Sequence, residues 1–64
     1  MITIKRTTDK GVIRTLVPNP DDLDIVYKDL MFHYLKDGGT VIPTITGHII
    51  ATNKKVITLT IEEI

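Results

Sequence analysis

The spacing of apolar residues along this chain switches from a two-residue period to a helical one and back again. Residues 2 to 8 (Ile-Thr-Ile-Lys-Arg-Thr-Thr) and Val12 to Val17 read as two strands. Asp9-Lys10-Gly11 joins them into a hairpin, with Gly11 supplying the positive φ that a tight turn needs. Two registers follow. With all three residues in the loop, Arg6 faces Arg14, a like-charge pair that destabilises a ladder. A two-residue loop places Arg6 opposite Thr15 instead, and that register is the expected one.

Asn19-Pro20-Asp21-Asp22 then marks a helix start. The Asn oxygen caps an orphan amide, Pro has no amide to leave unpaired, and the carboxylates face the positive end of the helix dipole. The pattern predicts a helix to Lys36 or Asp37, ended by Gly38-Gly39. Leu23, Val26, Tyr27, Leu30, Met31, Tyr34 and Leu35 form its core stripe.

Past the helix, Thr40 to Thr52 is extended, with Pro43 suited to a sheet edge and Gly47 to a bulge or a close backbone approach. Val56 to Glu62 alternates, with Ile57, Leu59 and Ile61 on one face, and pairs back through Thr52-Asn53-Lys54-Lys55. The expected fold is therefore α+β: a single domain over residues 1–64, ordered ββαββ, with two antiparallel hairpins flanking one helix packed on the sheet.

Composition supports sheet, since Ile, Val and Thr supply 26 of 64 residues. The absence of Ser, Gln, Cys and Trp beside so much Ile fits an AT-rich genome such as that of a phage or mobile element. At 7.2 kDa the chain should expose about 4,100 Å² when folded and hide roughly 60% of its unfolded surface, which leaves little net stability. Without cysteine, disulfides and thiolate metal sites are excluded, so association with another chain is the remaining way to add burial. Neither a signal peptide nor a membrane-spanning run is legible, and the expected compartment is the cytoplasm.

Two features exceed what a monomer needs. The second strand carries Val12 and Leu16 on one face and Ile13 and Val17 on the other. Ile25 and Phe32 stand on the helix away from its core stripe, ringed by Lys28, Asp29 and Lys36. Val12, Leu16, Ile25 and Phe32 are accordingly the candidate interface of a homo-oligomer of two or more subunits, or of a contact with a different protein.

The charge is segregated: Lys5, Arg6, Lys10 and Arg14 make the first hairpin basic, while Asp21, Asp22, Asp24, Asp29 and Asp37 make the helix acidic. We expect these to pair with one another, within the chain or across an oligomer. The alternative function is a nucleic-acid-binding module whose basic ribbon contacts phosphates, although zero net charge and the lack of an aromatic residue in the hairpin disfavour it.

Catalysis has no support in the spacing. There is no Ser or Cys nucleophile and no phosphate-binding Gly-rich loop, and His33, Tyr34 and His48 are acid-base groups that no motif gathers. His33, one turn after Asp29, lacks a third ligand for a metal, and His48 reads as a buried, hydrogen-bonded side chain. No catalytic residue, cofactor, metal or membrane partner is expected, and the function expected from sequence is that of a small non-enzymatic interaction protein, an adaptor or inhibitor.

Overall fold

The computed structural model describes residues 1–36 and 38–63. Its elements run β1 (Ile2–Thr8), β2 (Gly11–Val17), a single 3-10 turn (Pro20–Asp22), α1 (Leu23–Leu35), β3 (Thr40–Pro43), β4 (Gly47–Ala51) and β5 (Val56–Glu63). The α+β architecture expected from sequence is what the chain adopts, with one strand more. Thr40 to Thr52 folds back on itself at Thr44-Ile45-Thr46, so the order is ββαβββ. Pro43 closes β3 because it has no amide for a ladder, and Thr44 and Gly47 then close the turn by two hydrogen bonds of 2.8 and 3.0 Å.

All five strands lie in one antiparallel sheet in the order β2-β1-β5-β4-β3. Pairing of β1 with β5 joins the two ends of the chain at the centre of the sheet. This leaves β2 and β3 at opposite edges, and the helix has to travel between them. Thirteen helical residues rise about 19 Å, and four strand spacings amount to about 19 Å, so α1 is long enough for the traverse.

The helix begins as the sequence predicts. Asn19 Oδ1 accepts from the Asp21 amide at 3.1 Å, and Pro20 takes the first position of the 3-10 turn that feeds α1. At its other end Gly38 has φ +81° and its amide donates to the Leu35 carbonyl at 3.0 Å, the left-handed cap that a side chain would disfavour. Whether the helix reaches Asp37 lies outside the described residues.

The predicted stripe is the buried one. Tyr27 and Tyr34 are buried, and Leu23, Val26, Leu30, Met31 and Leu35 pack against a core of Ile4, Val17, Ile50, Ile57 and Leu59. Only one face of the sheet is covered in this way. Among the described residues, no helix is long and apolar enough to cross a membrane.

The first hairpin has the expected two-residue loop, Asp9-Lys10, but not the pairing expected of it. Thr8 pairs with Gly11, Arg6 with Ile13 and Lys5 with Arg14, so neither Arg14 nor Thr15 stands opposite Arg6. The slip from the Arg6–Thr15 register is two residues, one full side-chain period, so it leaves each side chain on its face. Ile13, Thr15 and Val17 lie on the helix side with Ile4, and Val12, Arg14 and Leu16 on the open side, the reverse of what a three-residue loop would give. The like-charge pair that the expected register avoided is therefore present as Lys5 beside Arg14. Glu62 of β5 relieves it, reaching diagonally across β1 to Arg14 Nε at 3.2 Å.

Candidate interaction surface

The edges of the sheet are built differently. β3 has four residues and ends in proline, two devices that keep an edge strand from recruiting another. β2 has seven residues and no proline, and its outer side has no neighbour in the sheet. Because α1 does not cover this margin, β2 is exposed on both faces. Val12 and Leu16 on the open side are 47% and 50% exposed, and Ile13 on the helix side is 51% exposed. Arg14, between them in sequence, is drawn towards Glu62 and the sheet interior rather than standing guard over the edge. A cleft of about 400 Å³ continues the apolar surface past Leu16 to Ile2, Val17, Pro18 and Pro20.

The four residues predicted as one interface fall on two opposite surfaces. Val12 and Leu16 project from the uncovered face of the sheet, whereas Ile25 and Phe32, both exposed, project from the outside of the helix on the other layer. A single flat contact holds one pair or the other. Ile13, at the margin of the helix side, joins the β2 group instead.

The predicted basic ribbon is dispersed as well. Lys5 and Arg14 lie on the open face, Arg6 lies on the helix face with its Nη1 donating to Tyr34 Oη at 2.9 Å, and Lys10 sits in the turn. Among the described residues, no ion pair joins the basic hairpin to the acidic helix, the pairing expected within the chain. Among the described residues, the ion pairs are Arg14–Glu62, between strands, and Lys28–Asp24 at 3.1 Å, within the helix.

What sequence reasoning missed is a second basic group. Because β1 and β5 are neighbours, the β1–β2 turn and the β4–β5 loop emerge at the same end of the sheet. Lys10 of the first meets Lys54 and Lys55 of the second around a cleft of about 220 Å³, with Thr8 and Asp9 completing its lining. Lysines this far apart in sequence give no local signal. Only the pairing of the terminal strands brings them together.

Of the candidate acid-base groups, His33 lies against Tyr34, while His48 is hydrogen-bonded to Tyr27. Tyr27 Oη lies 2.7 Å from His48 Nδ1 and 3.4 Å from the Leu59 carbonyl oxygen, between helix and sheet. One arrangement satisfies all three groups: His48 Nδ1–H donates to the tyrosine oxygen, which donates its own proton to Leu59. Burial pushes the Tyr27 hydroxyl above its ordinary pKa, with the His48 backbone acting the other way. This fits the hydrogen-bonded role expected of His48, although its side chain is only partly buried. His33 is exposed and packs edge-on against Tyr34 at 5.2 Å rather than pairing with Asp29. No group of three or more potential metal ligands occurs among the described residues. Compared with known proteins, the chain matches no family, no curated protein and no solved structure.

Proposed function

We infer that this chain is a small non-enzymatic interaction module, cytoplasmic in setting, that associates with a second copy of itself along the free edge of β2. The observation that carries this conclusion is the edge itself: seven residues without proline, with Val12, Ile13 and Leu16 each about half exposed. Antiparallel addition of an identical strand satisfies the outward backbone groups and covers apolar side chains on both faces at once. A strand edge is also self-complementary under a two-fold axis, as a closed dimer requires. The exposed area is consistent with this. The folded chain exposes 4505 Å², about 400 Å² more than its mass predicts.

Completing the burial of three half-exposed side chains in each copy contributes roughly 1 kcal/mol apiece, and each new backbone hydrogen bond about as much again. Set against an association cost of about 4 kcal/mol, the low end for pre-formed surfaces, this places the dimer in the micromolar range. Light scattering behind a sizing column, run across concentration, should show the mass doubling. Ile13→Lys puts a charge in the middle of the edge and should weaken the dimer at least a hundredfold while the monomer keeps its circular dichroism. Phe32→Asp, on the far surface, should leave the dimer intact. A strict monomer at all concentrations, or a dimer lost with Phe32→Asp and kept with Ile13→Lys, refutes the assignment to β2.

A further inference from the structure

We propose that the cleft between the two hairpin tips, lined by Thr8, Asp9, Lys10, Lys54 and Lys55, binds a phosphate group, free or as a small phosphomonoester. Three lysines from two loops line about 220 Å³, and among the described residues the only carboxylate in the lining is Asp9. None of the three lysines is in an ion pair among the described residues. The described lining thus carries a net charge of two, matching in size a phosphate dianion near neutral pH.

The surroundings add to the field rather than cancel it. Arg6 lies two residues before Thr8 on the same face of β1 and has no carboxylate partner among the described residues. Its guanidinium carbon is 5.9 Å from the centre of the Tyr34 ring, and Lys55 Nζ is 5.3 Å from the same centre. Tyr34 so engages both cations, Arg6 at its hydroxyl and Lys55 at its ring. The backbone at the tips is ordered by hydroxyls. Thr8 Oγ1 accepts from the Lys10 amide at 3.2 Å, and Thr52 Oγ1 accepts from the amides of Lys54 and Lys55 at 3.2 and 3.1 Å. These turns fix the backbone from which the lysines project. Among the described residues, a chain of zero net charge thus places three lysines around this cleft against one aspartate, with none of them paired to a carboxylate of another element. This inference does not depend on association through β2.

The test is amide chemical-shift mapping by NMR of the full chain titrated with inorganic phosphate, with glycerol phosphate, and with chloride at matched ionic strength. Saturable shifts confined to residues 8–11 and 53–55 with phosphate, and absent with chloride, are expected. The glycerol phosphate arm distinguishes a free phosphate from a phosphomonoester by which of the two binds more tightly. Lys54→Gln and Lys10→Gln, in exposed loops on different hairpins, should each weaken binding about tenfold. Equal, non-saturating shifts with phosphate and chloride overturn the proposal. So does binding of a single-stranded oligonucleotide that also shifts Lys5 and Arg14 while inorganic phosphate does not saturate, because the surface is then a polynucleotide track and not a phosphate cleft.

Discussion

Gly47 opens β4 where a side chain would run into the backbone of β5, and replacing it with alanine tests that approach directly. A Cβ built there would overlap the carbonyl oxygen of Leu59 and stand 2.9 Å from its carbonyl carbon and 3.1 Å from Thr60 Cα. These are main-chain atoms of a central strand and cannot rotate away as a side chain would. To admit the methyl, β4 has to retreat from β5 at the Gly47–Thr60 pair, and the turn bonds between Thr44 and Gly47 stretch with it. Two to four hydrogen bonds are weakened, each worth about 1 kcal/mol, so Gly47→Ala should cost about 2–4 kcal/mol. A chain of this length holds only ~3–10 kcal/mol in total. Much of the population should therefore unfold at modest urea. Urea titration followed by far-ultraviolet circular dichroism reads the loss, with Thr46→Ala, one residue earlier in the exposed turn, as a comparison that should stay within about 0.5 kcal/mol. A Gly47→Ala midpoint indistinguishable from that comparison refutes the close approach, and with it the pairing of β4 on β5 at this position.

Further outcomes follow from single groups. Thr3 Oγ1 is buried without a hydrogen-bond partner among the described residues, so the isosteric Thr3→Val should stabilise the fold by about 1 kcal/mol, seen as a rise of several degrees in Tm; a fall would show that the hydroxyl is satisfied. Tyr27, with its pKa raised in the folded chain, binds its proton more tightly folded than unfolded. The stability this contributes is complete below the ordinary tyrosine pKa of about 10 and is lost as pH rises through the higher folded value. Urea midpoints should accordingly fall in strong alkali, and less steeply in Tyr27→Phe; the same slope in both chains would assign the alkaline loss to other groups. The same Tyr27→Phe substitution leaves His48 Nδ1 without its 2.7 Å partner and should cost about 1–2 kcal/mol at neutral pH, read by the same titration.

The elements whose signals are local were legible in the sequence. Asn19, Pro20 and the aspartates locate the helix start because an N-terminal cap is satisfied within four residues, and Gly38 locates its end for the same reason. The stripe from Leu23 to Leu35 identifies the buried helix face because a helix has one period and this one has one covered side. Pro43 at an edge and Gly47 at a close approach follow from a missing amide and a missing Cβ.

The tertiary structure decided whatever depended on partners distant in sequence. β2 is apolar on both faces, so its pattern holds no preference between registers, and the choice was made by what Ile4 and the helix cover. That choice separated Val12 and Leu16 from Ile25 and Phe32, and Lys5 and Arg14 from Arg6. The break of Thr40–Thr52 into two strands required β5 to pair with β4 and leave β3 as a rim. Pairing of β1 with β5 placed Lys10 beside Lys54 and Lys55, although no spacing in the chain relates them. Periodicity describes one element against an unspecified surface, whereas a site composed of two loops exists only once the sheet has fixed which strands are neighbours.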